Sequence, residues 1–298
     1  MGGALLLFMK PIFWILSFFV GACASTSPFS PAAPVSPAPG ISTAAAVAPA
    51  AVPIDPALRA VLAGSLRTEP ERARDGARHP AETLTFFGLR PDQRVVELWP
   101  GRGYYTAILA PYLADHGALA VTVFDPAGDP AAESTQEARA TLARLGSSPV
   151  FANVVPQRIA APDYRLGADG SADLVLTFRN VHNWIPAGIA PDVFRAVARV
   201  LKPGGVFGVV DHRASHDLTA EEVGRTGYVS EAQVIALAAA AGLVLEARAE
   251  INANLRDTRD HPNGVWSLPP TFAGGDVDRA RFAAIGESDR MTLRFRKR

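Results

Sequence analysis

The stretch Arg94-Val-Val-Glu97-Leu-Trp99-Pro-Gly101-Arg-Gly103-Tyr104-Tyr105-Thr106 decides how this chain is read. Val95, Val96 and Leu98 make a short apolar strand, and Gly101 and Gly103 then turn the chain sharply. From Tyr105 to Ala114 the apolar residues fall at helical spacing. A second apolar run, Leu119 to Phe124, ends on Asp125. Strand, glycine turn, helix, strand and acid make half of a nucleotide-binding α/β unit. Glycines let the backbone approach a ligand closely and take positive φ. A helix opening near Tyr104 aims its free N–H groups at that ligand. Asp125 lies 22 residues after Gly103, close to the roughly 20 expected of an acid that accepts ribose hydroxyls. Taken alone, the two glycines also fit an ordinary strand-to-helix turn.

Working outward, Ser171-Ala-Asp173-Leu-Val-Leu-Thr177-Phe-Arg-Asn180-Val-His182-Asn183-Trp184 gives a buried strand, Leu174 to Phe178. Arg179, Asn180, His182 and Asn183 cluster at its carboxyl end, the edge where open α/β sheets bind ligands. The alternative there is helix capping by Asn180 or Asn183 with a packed His182. Pro191 to Leu201 reads as a helix, followed by Lys202-Pro-Gly-Gly205 and a strand, Val206 to Val210, that ends on Asp211-His212. His212 is equally a base, a substrate contact or a capped surface histidine. Ser230-Glu-Ala-Gln233 forms a capping box before an alanine-rich helix that Gly242 stops. Leu243 to Ile251 and Met291 to Phe295 alternate as late strands, and residues 252–270 form a long polar and aromatic loop. Upstream, Asp55 to Leu66 and Ala81 to Phe87 read as helices, with His79 in a loop as a solvated side chain or a lid contact.

These residues resemble the class I S-adenosylmethionine (SAM)-dependent methyltransferases. Glu97, Gly101 and Gly103 match the family's first motif, and Trp99 departs from it by standing at the first glycine. The strand ending at Asn180 looks like the fourth motif, and Leu201-Lys-Pro-Gly-Gly205 before a buried strand is frequent in the family. From His79 to Phe295 the chain resembles a bacterial group of methyltransferases with signal peptides. The resemblance implies a single-domain α/β fold: a Rossmann-like seven-stranded sheet with an antiparallel last strand and helices on both faces. It implies S-adenosyl-L-methionine as cofactor, held by Glu97, Trp99, Gly101, Gly103, Tyr104, Asp125 and Asn180. Glu97 is expected near the methionine amino group and Asp125 at the ribose. His182 and His212 are the candidate bases, and Asn180 and Asn183 are candidates to orient an acceptor. Asp163 is the nearest acid to the expected adenine position, in a Pro-containing loop that leaves the assignment open.

Of the 298 residues, 48% are hydrophobic, enough for a sizeable core; Lys+Arg and Asp+Glu are 29 each. That balance gives no electrostatic footprint of a nucleic-acid binder. The lone cysteine excludes an intrachain disulfide and argues against a cysteine-based zinc site; no metal is expected. Residues 1–23 read as a signal segment with Lys10 before an apolar run, Met9 being an alternative start. Val20-Gly21-Ala22-Cys23 resembles a lipoprotein lipobox, which implies membrane attachment through a lipidated Cys23 and a periplasmic or membrane-anchored place in a bacterial envelope. Residues 24–53, rich in Ala, Pro and Ser, read as a tether, with the folded domain at 54–298. Two other classes stay in view. One is a non-enzymatic exported lipoprotein whose methyltransferase-like fold binds another ligand. The other is an NAD-dependent oxidoreductase, against which the broken glycine fingerprint and Leu201-Lys-Pro-Gly-Gly205 count.

Overall fold

The computed structural model of the chain describes residues 53–298; the signal segment with Cys23 and the tether lie outside the described residues. Four short helices come first: α1 (Pro56–Ala63), α2 (Glu69–Arg72), α3 (Asp75–Arg78) and α4 (Pro80–Phe86). Strands and helices then alternate through β1 (Arg94–Leu98), α5 (Thr106–Leu113), β2 (Ala118–Val123), α6 (Glu133–Leu145) and β3 (Val154–Arg158). The second half runs β4 (Ala172–Phe178), α7 (Val181–Trp184), α8 (Ala190–Val200), β5 (Leu201–His212), α9 (Ala220–Thr226), α10 (Glu231–Ala240), β6 (Leu243–Ala249), α11 (Arg279–Ile285) and β7 (Arg290–Lys297).

The strands form one sheet in the order β3-β2-β1-β4-β5-β7-β6. β1 to β5 pair in parallel, and β7 runs antiparallel to β5 and β6. This is the Rossmann-like seven-stranded α/β sheet, with an antiparallel last strand, that the sequence led us to expect. The chain order reverses between β1 and β4, and in such sheets the crevice outside the carboxyl ends at this switch point receives ligands. The glycine turn leaves β1 there and the Arg179–Asn183 cluster leaves β4 there.

Alternation along the central strands splits the core into two layers. Leu58, Leu84, Phe87, Ile108 and Leu109 pack on Val95, Leu174 and Leu176. On the opposite face Trp184, Val193, Phe194 and Val234 pack on Val96, Val175, Phe207 and Leu293. Full burial of each such side chain contributes roughly 1.5–3 kcal/mol.

Four features differ from the sequence expectation. The helix after the glycine turn begins at Thr106 rather than near Tyr104, because residues 101–105 complete the turn and Tyr105 stands at the N-cap. β3 starts later than the apolar run from Val150 suggests: Pro149–Phe151 makes a single 3-10 turn capped by Ser148, and pairing with β2 starts at Val154. Lys202-Pro-Gly-Gly205 lies inside β5, where Ala172 pairs with Leu201 and Leu174 with Val206, so the extra residues bulge out. α11, within the stretch between the long loop and the last strand, has no counterpart in the sequence reading.

Candidate functional site

β1 delivers Glu97 to the switch point. Its side chain is 1% exposed, and Oε2 accepts a 2.6 Å hydrogen bond from Thr106 Oγ1 at the start of α5. Burial pushes the carboxyl up to about 7, and the Thr106 bond only partly opposes this. Its other oxygen, Oε1, has no hydrogen-bond partner among the described residues.

Trp99 follows at φ +43°, a left-handed conformation costly for a bulky residue. Aromatic packing holds it: its ring lies 5.0 Å from Trp184, 5.4 Å from Phe124 and 6.2 Å from Tyr164. Its N–H donates to Thr122 Oγ1 at 2.8 Å. Gly101 and Gly103 take φ +55° and +77°, and a Cβ on Gly101 would meet nothing within 4 Å, so the turn opens onto free space. Tyr104 points away from that space: its hydroxyl donates to Asp75 Oδ1 at 2.6 Å and its ring sits beneath Arg67 and Arg78. Asp125, two residues past β2, is an exposed carboxylate whose charged neighbour, Arg158, is 3.8 Å away. Asp163 is engaged by Arg199 at 2.6 Å and by Arg165 at 3.5 Å.

β4 leads through Arg179, at φ +63°, into α7. Asn180 stands at the N-cap position without capping α7 through its side chain. Its amide instead donates to Leu98 O at 3.0 Å, to Trp99 O at 3.3 Å and to Thr177 Oγ1 at 3.0 Å, tying the end of β4 to the end of β1. Asp211, from the neighbouring β5, does the capping. Its fully buried carboxylate accepts from Val181 N at 2.7 Å, His182 N at 3.3 Å, His182 Nδ1 at 2.8 Å and His212 N at 2.8 Å. A carboxylate only accepts, so His182 carries its proton on Nδ1 and leaves Nε2 as an acceptor. Asn183 is exposed on α7.

His212 lies beside this pair, its ring 4.9 Å from His182. Its Nδ1 meets Ser288 Oγ at 2.5 Å. Burial, then His182, Arg179, Arg290 and Arg78, hold its pKa well below the usual histidine value, so it is neutral at neutral pH. His182, Asp211 and His212 bring possible ligand atoms within 4.8 Å of one another. Both Asp211 oxygens are already committed to four N–H donors, so the trio fits a hydrogen-bonded His–Asp pair better than a metal-ligand set.

The long loop and the N-terminal helices close the surroundings. Asp257 accepts from the Tyr228 hydroxyl at 2.9 Å and pairs with His261 Nε2 at 2.8 Å, and Asp289 is held by Arg213 and Arg259. These buried anchors set Trp266 6.3 Å from the His182 ring. His79, read as a loop residue, joins α3 to α4 at φ +41° with Nδ1 buried. The structure therefore brings Glu97, Gly101, Gly103, Asn180, His182 and His212 to one edge, with Asp125 at its β2 side. It adds Ser288, Arg290 and Arg78, which carry no motif; a charged residue at the first position of an alternating strand was the one available signal for Arg290.

No protein-family model matches the chain, and no curated protein does. Solved structures do. The [4+2]-cyclase SpnF aligns over 79% of this chain and 85% of its own, at 17% identity and a TM-score of 0.53. A protein from Galdieria sulphuraria, described as a sarcosine dimethylglycine methyltransferase, aligns over 77% and 89%, at 16% identity and a TM-score of 0.50. Further neighbours include a SAM-dependent methyltransferase from Aquifex aeolicus, at 18% identity and a TM-score of 0.45. At these identities what is shared is the fold: a Rossmann-like seven-stranded sheet that solved SAM-dependent methyltransferases also have.

Proposed function

We propose that this protein is a SAM-dependent methyltransferase acting on an acceptor that His182 deprotonates. One observation carries the reading: Glu97 keeps a carboxylate oxygen that no described residue engages, beside an open glycine turn at the switch point of a methyltransferase-type sheet. The residues present fit the cofactor. Glu97 suits the methionine ammonium, Gly101 and Gly103 leave room for the backbone to approach, and the exposed Asp125 suits the ribose hydroxyls. Trp99 and Phe124 offer aromatic surface beside them, and no described residue donates to Asn180 Oδ1. When bound, the cofactor supplies an electrophilic methyl group.

The chain's own residues do the rest. Asp211 fixes the tautomer and orientation of His182, so that Nε2 takes a proton from the acceptor as its nucleophilic atom is freed. Neutral His212 holds Ser288 and lines the same edge. Trp266 restricts water above the pair. A second reading, a non-enzymatic ligand-binding envelope lipoprotein, is favoured by Trp99 standing where the first glycine of the motif belongs. In either reading the chain sits in the cell envelope, attached through a lipidated Cys23.

Calorimetry of SAM against the full chain tests the cofactor. Micromolar binding that falls at least tenfold in Asp125→Ala supports the proposal. Absence of binding at millimolar SAM, in a protein with an intact folding transition, favours the second reading.

A further inference from the structure

Arg74, Arg78 and Arg290 gather around a single carboxylate, Glu287. Arg74 Nε donates to Glu287 Oε1 at 2.8 Å, Arg78 Nε to Oε2 at 3.4 Å and Arg290 Nη1 to Oε2 at 3.0 Å. Burial alone would raise the Glu287 pKa; Arg290, Arg78 and Arg74 together outweigh it and hold it down to about 2. Arg179 lies within electrostatic reach of the same group. Three cations therefore share one anion and a fourth, Arg179, lies in reach without pairing with it, an excess of three positive charges. Arg78 is 2% exposed and Arg290 3%, yet Arg78 Nη2, Arg290 Nε and Arg74 Nη2 are buried donors without a partner among the described residues. The Arg179 guanidinium has no hydrogen-bond or ion-pair partner among the described residues, and the residue is half-buried. The Tyr105 hydroxyl, on a ring 5% exposed and stacked 3.4 Å over Phe178, is likewise unpartnered.

Buried charge left uncompensated is costly, and buried donors are normally satisfied. Here several unsatisfied donors and an unpaired guanidinium converge beside His212, whose register partner across the sheet is Arg290. We propose that this cluster is an oxyanion-binding site, with Arg179 as its free fork, that seats a phosphoryl or carboxylate group of the acceptor next to His182 and His212. Guanidinium forks match the planar oxygen pairs of both groups. Only the identification of the ligand as the acceptor rests on the methyltransferase reading; the anion site stands without it.

The test titrates inorganic phosphate and the tricarboxylate citrate into the full chain at constant ionic strength, following heat and thermal unfolding. Saturable binding by either, weakened at least tenfold in Arg179→Gln and less in Arg179→Lys, is expected. The Arg179 guanidinium bonds no protein group among the described residues, and its backbone N–H bond to Val210 O survives the substitution, so Arg179→Gln unfolds at the same temperature as the wild type or higher without ligand. A purely structural arginine would give a lower temperature, which overturns the proposal. So does absence of saturable binding, or binding unchanged in Arg179→Gln. SAM then distinguishes the two sources of carboxylate. If SAM binds Arg179→Gln within about twofold of wild type and does not displace phosphate, the anion belongs to the acceptor. If SAM displaces phosphate, the site holds the cofactor's own carboxylate and the assignment to the acceptor falls. Phosphate binding that depends on Arg179 while SAM fails to bind supports the anion site and refutes the methyltransferase reading.

Discussion

Glu97 shows how one residue carries both a folding cost and a function. An unfolded glutamate titrates near 4.5, whereas folded Glu97 titrates at about 7. The folded state therefore binds more protons than the unfolded state between these values, and stability falls as pH rises through that window. The shift corresponds to roughly 3 kcal/mol. Glu97→Gln is expected to flatten the dependence, leaving the variant more stable than wild type at pH 8 and equal to it or less stable at pH 4.5. Denaturant unfolding across pH measures this; a wild-type profile flat between pH 4.5 and 7 would refute it. A ligand ammonium at Oε1 favours the ionised form, so SAM is expected to bind more tightly as pH rises through 7, with the slope lost in the variant. Asp211 is the contrasting case, because its buried charge is fully satisfied by four N–H donors. Asp211→Asn turns an amide against some of those donors and is expected to cost about 2–4 kcal/mol. It also releases His182, so methyl transfer should fall by more than SAM affinity does.

Elements are joined at this edge by contacts distant in sequence. Asn180, two residues past β4, binds the backbone oxygens of Leu98 and Trp99 at the end of β1, and Asp211 near the end of β5 caps the helix after β4. The polar cluster at Arg179–Asn183 was legible in sequence because it follows an apolar strand. Its capping was not: Asn180 is the usual residue type for an N-cap, but here a carboxylate from the adjacent strand takes those N–H groups, and no local pattern shows which strand will be adjacent. The long loop is similar. Its prolines and Trp266 announced order, while its seating depends on Gly264, where φ is +52° and a Cβ would come within 2.0 Å of Thr226 O. Gly264→Ala should therefore push the loop from the C-terminus of α9, costing about 3 kcal/mol through overpacking and backbone strain. Thermal unfolding should fall by roughly 6–12 °C; an unchanged transition would show that the loop seats differently.

At the scale of the whole molecule, α1 closes the layer over α5, burying Leu58 and joining Asp55 to the Tyr112 hydroxyl at 2.6 Å. A chain beginning at Ser65 is expected to lose about 2–4 kcal/mol while keeping its secondary structure by circular dichroism. Among the described residues no helix is long and apolar enough to cross a membrane. The formal net charge is zero, yet three arginines pair with one carboxylate and a fourth lies in reach of it, an asymmetry that composition averages away. The sequence by itself determined the α/β class, the position of the glycine turn and the edge where chemistry gathers. Those follow from local periodicity, from the conformational freedom of glycine and from the rule that parallel sheets bind ligands at their carboxyl ends. Only the tertiary structure decided that Asp211 orients His182, that Trp99 is held by Phe124, Tyr164 and Trp184, and that Arg78, Arg179 and Arg290 converge. Burial and electrostatics act through space, and the sheet order that brings residues 78, 179 and 290 together is set by the packing of the whole chain.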